Sequence, residues 1–222
     1  MTRLNDISQQ IREDIATGRL PLGSRLTIDD LAGRYGASHM PIREALRQLR
    51  GEGLVELEPN RGARVRSADR NFVENLFSIR AAVEVLLARQ AASRCSPELL
   101  AKLHAIEADR EQCVTKADYA AALVANRRFH QAINAAAGNP QAVAIVDQYW
   151  VLIVAMWHQH GYAPERFAGV SSDHRNLLSA LHQRDPEAAA VLIGAHVIKS
   201  KYELLGLMDS AQHSGIRRAK VA

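Results

Sequence analysis

The spacing of apolar residues predicts three helices in the first part of the chain. The first helix is predicted from apolar residues three and four positions apart, namely Leu4, Ile7, Ile11 and Ile15. Gly18 ends this helix. Thr27 is placed to cap a second, short helix, with Asp29 and Asp30 in its first turn, where negative charge suits the helix dipole. A third helix is predicted over residues 38–50.

The third predicted helix has an apolar face and a basic face. Its apolar positions are Ile42, Ala45, Leu46 and Leu49. The basic face is formed by Arg43, Arg47 and Arg50, with Ser38, His39 and Met40 at its N-terminal end. A short helix, a tight turn and a helix of this kind indicate a helix-turn-helix whose recognition helix lies in a DNA major groove. The alternative is a surface helix with solvated arginines.

Two short segments of partly alternating polarity follow the third helix and predict a β-hairpin, at residues 54–58 and 63–66. The tip of the hairpin carries Arg61, Gly62 and Arg64. A glycine there lets the backbone approach a phosphate or enter the minor groove. Residues 1–67 are therefore predicted to form a winged helix-turn-helix of three helices plus a β-hairpin.

The chain beyond a short linker at residues 68–70 predicts helices only. Their expected spans are 69–94, 96–115, 117–137, 140–160, 165–184 and 186–208. Residues 71–209 are therefore predicted to form an all-α bundle, and the fold class is mainly α. Residues 210–222 carry no apolar pattern, and we expect them to be disordered.

Composition narrows the function classes only a little. The 222 residues are 47% hydrophobic and 23% charged, as in a packed globular protein. The net charge of +4 and the pI of about 9.3 are compatible with a nucleic-acid partner. Two cysteines without a pairing motif and the lack of a signal-peptide core favour the cytoplasm. The most apolar run, residues 149–157, is too short to span a bilayer, so no membrane partner is expected.

Three histidines fall on the apolar faces of three predicted helices. Asn126 and His130 are one turn apart and share a face, while His174 and His196 lie on two later helices. Imidazoles that converge inside one bundle suit a divalent metal. The alternative is that each is a core histidine with its hydrogen bonds satisfied, and for any one of them alone that is the better interpretation.

The N-terminal motifs resemble the winged helix of GntR-family transcription regulators. The resemblance is carried by residues 41–46 (Pro-Ile-Arg-Glu-Ala-Leu), 52–55 (Glu-Gly-Leu-Val) and 61–62 (Arg-Gly). His39 and Met40 depart from the arginine and threonine that are common in the family, so the resemblance implies DNA binding but no particular operator sequence.

This resemblance implies a role for each basic side chain. Arg43 is expected to contact O6 and N7 of a guanine. Arg47 is expected to contact a base or a phosphate, and Arg50 and Arg64 to contact phosphates. Glu44 is expected to pair with a neighbouring arginine rather than to face DNA.

The C-terminal region resembles the FCD effector-binding domain of the FadR subfamily. The resemblance is carried by the pattern Asn126-x3-His130, followed by His174 and His196. It implies that these four residues bind a divalent metal. We expect the metal to be zinc, with nickel and manganese as alternatives. The first ligand is usually aspartate in the family. The asparagine leaves the metal its full charge, which favours an anionic effector.

Arg80 matches an Arg-x3-Glu pattern near the family's pocket, with Glu84 one turn further on. It either clamps an effector carboxylate or forms a structural ion pair with Glu84.

Together the two resemblances imply a ligand-responsive DNA-binding regulator, which is not an enzyme and has no catalytic residues. We expect a repressor that binds a palindromic operator as a homodimer and responds to a small organic acid. The alternative is a metal-dependent hydrolase fused to a nucleic-acid-binding module, because hydrolytic metal sites also use three histidines. Against it, the sequence places no carboxylate as a general base beside the ligands.

Overall fold

The computed structural model describes residues 4–58, 62–162 and 164–219. In these residues the chain forms ten α-helices and three β-strands. In chain order they are α1 (Leu4–Ala16), β1 (Arg25–Leu26), α2 (Ile28–Tyr35), α3 (His39–Gly51), β2 (Val55–Glu58), β3 (Gly62–Val65), α4 (Arg70–Ser93), α5 (Pro97–Thr115), α6 (Tyr119–Ala136), α7 (Pro140–Asp147), α8 (Trp150–His160), α9 (Pro164–His182) and α10 (Pro186–Ala219). The chain divides into two packing units, residues 1–69 with 147–160, and residues 70–146 with 161–222.

The first unit is a winged helix-turn-helix. The side chains of Ile7, Ile11 and Ile15 are fully buried, as the apolar spacing of α1 predicts. Thr27 caps α2, since its hydroxyl accepts a hydrogen bond from the backbone N–H of Asp30 at 3.1 Å. All three predicted helices and the hairpin are therefore confirmed, along with the turn between α2 and α3.

The sheet has a strand that sequence reasoning did not predict. The order is β1-β3-β2, and β3 pairs antiparallel with both neighbours. In the pairing of β1 with β3, Arg25 faces Arg64 and Leu26 faces Ala63. Strand β1 has only two residues, which are too few to produce an alternating pattern in the sequence.

Helix α8 also belongs to the first unit, where it packs against α1. The sequence predicts one helix over residues 140–160, whereas the chain breaks it into α7 and α8. By length and composition alone residues 140–160 would pass for a membrane span, as the buried core helix of a soluble protein also does. Neither α7, with 8 residues, nor α8, with 11, reaches the roughly 20 residues that a membrane-spanning helix requires.

The second unit consists of helices alone in the residues that the structure describes. Its core includes Leu87, Phe129, Leu177 and Ile193, on four different helices. We expected residues 210–222 to be disordered, but helix α10 runs through residues 210–219. Residues 220–222 lie outside the described residues. No proline follows Pro186 before the end of α10, so every later residue retains the N–H that a helix needs.

Candidate nucleic-acid interface and metal centre

Helix α3 buries its apolar face and exposes its arginines. Ile42 and Leu49 have no exposed surface, whereas Arg43, Arg47 and Arg50 are exposed. The three arginines border a groove of about 580 Å³, whose other lining residues are Ile28, Leu46, Leu57, Glu58 and Gly62. As predicted, Arg47 forms an ion pair with Glu44. The structure thus brings the arginines of α3 and the base of the wing to one surface.

Three side chains lie at the N-terminal end of α3, those of Ser38, His39 and Met40. Ser38 occupies the N-cap position with extended backbone angles, but its side chain makes no capping hydrogen bond in the described structure. His39 Nε2 lies 3.0 Å from a carboxylate oxygen of Asp29. Met40 is 66% exposed. All three side chains stand beside the first turn of the basic face.

The wing contains a glycine that the fold itself requires. Gly62 has φ +91°, and a Cβ there would lie 2.3 Å from the backbone oxygen of Leu26. The close approach of β3 to β1 therefore demands glycine, whereas the sequence analysis explained it by an approach to DNA. Arg64 donates to Glu58 at 3.0 Å and to the backbone oxygen of Gly23 at 2.7 Å. Arg61 lies outside the described residues.

The three histidines singled out in the sequence converge inside the second unit. His130 on α6, His174 on α9 and His196 on α10 are all buried, and one nitrogen of each lies within 4.8 Å of the others. The Nε2 atoms of His130 and His196 are 3.3 Å apart. The ring of His174 stacks on Phe129 with centroids 4.0 Å apart, which fixes its plane.

Each histidine has a carboxylate at its other ring nitrogen. Nδ1 of His130 lies 2.7 Å from Glu84, and Nδ1 of His174 lies 2.6 Å from Glu107. Nδ1 of His196 lies 3.2 Å from Asp173. A carboxylate at Nδ1 holds the proton on that atom and leaves the Nε2 lone pair for a metal. Sequence reasoning missed Glu107 and Asp173; the only signal was that Asp173 adjoins His174.

Two buried atoms of this cluster lack partners. Among the described residues, neither Oδ1 of Asn126 nor Nε2 of His174 has a hydrogen-bond partner. Leaving buried polar atoms unpaired is costly, and a metal ion bound by both atoms would remove that cost. Burial lowers the pKa of His174 well below its usual value and that of His196 to about 3, so both are neutral at pH 7. Three converging imidazoles and an amide oxygen fit a divalent metal.

Three buried arginines are paired with carboxylates in the same unit. Arg80 lies 2.7 Å from Glu84, Arg110 lies 2.7 Å from Glu107, and Arg166 lies 2.8 Å from Glu203, with each distance joining a guanidinium nitrogen to a carboxylate oxygen. The ion pair that the sequence allowed for Arg80 is present. Glu84 and Glu107 are also the carboxylates that hold His130 and His174.

The charges of the three arginines influence one another. Burial lowers the pKa of Arg166, and the positive charges of Arg80 and Arg110 lower it further, although Glu203 opposes them. Nη1 of Arg110 is buried without a hydrogen-bond partner among the described residues. The sequence pointed to Arg80 alone, because Glu107 and Arg110 have the spacing of an ordinary surface ion pair on a helix.

Residues 4–65 match the family described as bacterial regulatory proteins, gntR family, and residues 75–199 match the FCD domain. The chain belongs to the GntR family. It is therefore a DNA-binding transcription regulator and not an enzyme, and the hydrolase alternative has no support. Its fold is a winged helix-turn-helix followed by a helical FCD domain, as predicted.

The relatives of this GntR regulator are transcription regulators. It is 29% identical over 196 residues to the "Probable D-xylose utilization operon transcriptional repressor" of Paenarthrobacter nicotinovorans. The matched region covers 86% of this chain and 85% of that protein. It is 27% identical over 202 residues to the repressor GlaR of Escherichia coli, and the matched region covers 85% of this chain and 89% of GlaR. The solved structure of E. coli McbR has the same fold, with a TM-score of 0.81, 23% identity and coverage of 93% and 99%.

Proposed function

We propose that this GntR regulator is a repressor of the FadR subfamily that binds a palindromic operator in the cytoplasm as a homodimer. Its helical unit senses a small organic acid at a bound divalent metal. Zinc is the first candidate for this metal, and nickel and manganese are the others. The observation that carries the sensing role is the buried histidine cluster with a carboxylate behind each ring. Repression is supported by relatives that are named repressors, and homodimers are typical of GntR regulators.

The proposed DNA contacts lie on α3 and the wing. They are Ser38, His39, Met40, Arg43, Arg47, Arg50, Arg61, Gly62 and Arg64. Arg43 is assigned to a guanine because it is exposed near the N-terminal end of the basic face, where recognition helices contact bases. Arg50, at the far end of α3, and Arg64, which is held on the wing by Glu58 and Gly23, are assigned to phosphates. These phosphate contacts give binding that weakens with salt.

The DNA-binding role is tested by selecting fragments of genomic DNA that the protein binds and by sequencing them. We expect enrichment of one palindromic site. Arg43→Ala should weaken binding to that site by on the order of 1–3 kcal/mol and blur discrimination at one base pair of each half-site. Arg175→Ala, which removes an exposed arginine of α9, is the matched control and should bind as the wild type does. Equal affinity of the wild type for the selected site and for random DNA would refute the proposal.

The proposed metal ligands are Asn126, His130, His174 and His196. The metal would supply positive charge and a coordination position for an effector. The residues of this chain hold the ligands in place, since Glu84, Glu107 and Asp173 each fix one imidazole.

Metal binding is tested by elemental analysis of purified protein. We expect about one zinc, nickel or manganese ion per wild-type chain and a large loss in His174→Ala, because that variant removes one of the four proposed ligands. His182→Ala, which removes an exposed histidine from the same helix, should retain the metal. Equal metal content in both variants would remove His174 from the site.

The charges around the cluster favour an effector with two negative charges. The three buried arginines are balanced by Glu84, Glu107 and Glu203, one carboxylate each. Asp173, the carboxylate behind His196, is balanced by Lys199 at 3.2 Å. The four proposed ligands are neutral, so a divalent metal would leave two uncompensated positive charges in a buried site. A dicarboxylate would cancel both, with Arg80 as the proposed effector-binding arginine. Binding would then change operator affinity through the difference in affinity of the effector for the DNA-bound and free forms.

A further inference from the structure

Met40 is an exposed apolar side chain in the first turn of α3. It is 66% exposed, and it is the only large apolar side chain exposed to this extent in the described part of the winged-helix unit. The other seven exposed large apolar side chains of the described chain all lie in the second unit. A single apolar residue on a surface is ordinary, so the exposure has to be judged by the place of Met40 on the helix.

Met40 lies on the same face of α3 as the arginines. It comes three residues before Arg43 and seven before Arg47, and residues at these spacings share one side of an α-helix. The core-facing side is the opposite one, roughly 180° away by helix geometry, where Ile42 and Leu49 have no exposed surface. Met40 is therefore an apolar position at the N-terminal end of the basic face and no part of the core.

The polar side chains beside Met40 have partners within the chain. Nε2 of His39 lies 3.0 Å from a carboxylate oxygen of Asp29, in the first turn of α2. Glu44, one turn after Met40, forms an ion pair with Arg47. Met40 itself offers DNA an apolar surface, because its thioether sulfur is only a weak hydrogen-bond acceptor.

The base edges in the major groove differ in how well they suit an apolar side chain. Guanine, adenine and cytosine present hydrogen-bond donors or acceptors there, whereas thymine presents a methyl group at C5 beside its O4 acceptor. An apolar side chain against a polar edge would remove water from donors and acceptors without replacing its hydrogen bonds, which is costly. Against the methyl group, the same side chain would remove apolar surface of both partners from water, which is favourable.

We propose that Met40 contacts the C5 methyl group of a thymine in each half-site of the operator, an inference that rests on the proposed operator binding. Met40 precedes Arg43 by about 4.5 Å along the helix axis, since each residue advances by about 1.5 Å. Base pairs follow one another at about 3.4 Å along the duplex. The thymine therefore lies one or two base pairs from the guanine that is assigned to Arg43.

The test removes the methyl group from the DNA. In the operator selected by the wild type, uracil replaces the thymine next to the base pair at which Arg43→Ala loses discrimination, in both half-sites. This exchange deletes the C5 methyl group and keeps the base pair. We expect the wild type to bind the uracil site about fourfold more weakly per half-site in fluorescence anisotropy, which corresponds to one buried carbon atom. Uracil in place of a thymine outside both half-sites should leave affinity unchanged.

Variants of the protein assign the methyl contact to Met40. Met40→Ala should bind the thymine and uracil sites equally, because its side chain is too short to reach the methyl group, whereas Met40→Leu should retain the preference. Arg50→Ala is the matched control, since it removes a proposed phosphate contact from the same face. It should weaken binding to both sites by one factor and keep the penalty for uracil. Because Met40 is exposed, its substitution leaves the core of the unit intact.

A change of specificity gives an independent measurement. Met40→Gln replaces the thioether with an amide of similar length, and a glutamine side chain can form two hydrogen bonds with N6 and N7 of adenine. Selection from random DNA should therefore enrich adenine for this variant at the position where the wild type enriches thymine. Continued selection of thymine by Met40→Gln would overturn the inference.

Other outcomes separate this contact from operator binding as a whole. Equal affinity of the wild type for the thymine and uracil sites would exclude the contact and leave the regulator with its operator. A penalty for uracil that persists in Met40→Ala would assign the methyl group to another residue and overturn the role of Met40. An operator without thymine one or two base pairs from the guanine would do the same. Failure of the wild type to select any site would refute the proposed function itself.

Discussion

Asn126 is the side chain that sets the charge of the proposed metal site. Its Oδ1 atom is buried and has no hydrogen-bond partner within the described structure, so it is available as a ligand. An amide ligand leaves both charges of a divalent metal uncompensated, whereas a carboxylate would cancel one of them. The identity of this one residue therefore controls how strongly the site attracts an anion.

Asn126→Asp should accordingly raise the affinity of the protein for the metal and lower its affinity for the effector. The variant should bind zinc more tightly, and the zinc-loaded variant should bind succinate about tenfold more weakly than the wild type does, since about 1.4 kcal/mol corresponds to a tenfold change. Isothermal titration calorimetry measures the zinc affinity by titrating zinc into metal-free protein. Titrating succinate into the zinc-loaded protein measures the effector affinity, with acetate as a monovalent comparison.

The control for this substitution is Asn176→Asp, which adds the same charge on the exposed side of α9. It should change the affinity for succinate little, because an exposed charge is screened by solvent. Unchanged succinate affinity in Asn126→Asp would contradict the role given to the asparagine.

At the scale of elements, a single carboxylate joins α1 to α2. Asp14 on α1 accepts hydrogen bonds from Arg19 at 2.6 Å, from Arg34 at 2.9 Å and from the hydroxyl of Tyr35 at 2.8 Å. Asp14 is nearly buried, with 7% of its surface exposed. Because Arg34 and Tyr35 end α2, this network fixes the helix that precedes the recognition helix.

Asp14→Asn should therefore destabilise the winged-helix unit by about 1–3 kcal/mol, since it weakens hydrogen bonds to a buried charged group. Urea unfolding followed by circular dichroism measures the loss. Asp6→Asn is the matched control, because Asp6 is an exposed aspartate on the same helix and should change stability little. A loss of the same size in both variants would argue against the network.

The same network makes a prediction about pH. Burial alone would raise the pKa of Asp14, but the hydrogen bonds from Arg34, Arg19 and Tyr35 lower it below its usual value. A group whose pKa is lowered by folding stabilises the protein above its unfolded pKa, which is about 3.9 for aspartate. Its contribution is lost as the pH falls from there through the lowered folded value. Stability of Asp14→Asn should therefore fall less steeply than that of the wild type below about pH 4.

Helices α1 and α8 meet at a glycine. Gly18 has φ +73°, and a Cβ there would lie 2.7 Å from Cδ2 of His158. The sequence identified Gly18 as the end of α1, and the structure adds that α8 packs too closely against this turn for a larger residue. The end of one helix is thus coupled to the packing of another that is distant in the chain.

At the scale of the whole molecule, family match and packing unit do not coincide. The FCD match spans residues 75–199 and includes α8, yet α8 packs with the winged helix. The chain therefore passes between the two units at residues 69–70, 146–147 and 160–161. The sequence predicted one boundary between the two units, near residue 70, and this is only the first of the three.

The sequence by itself determined most of the helices, the faces of α3 and the inward direction of the three histidines. These follow from the helical repeat, which relates residues three and four positions apart and is visible in any stretch of the chain. The side-chain chemistry on those faces then pointed to DNA and to a metal. The roles assigned to individual DNA-contacting residues remain predictions.

The tertiary structure alone decided which groups meet across the chain. Glu107 is 67 residues from the His174 that it contacts, and β1 exists only because β3 lies beside it. The burial of Arg110 and Arg166, and the place of α8, depend in the same way on packing between distant segments. Local spacing cannot reveal such contacts, because the same residue pattern on a helix is exposed to solvent in one fold and covered by another helix in a different fold.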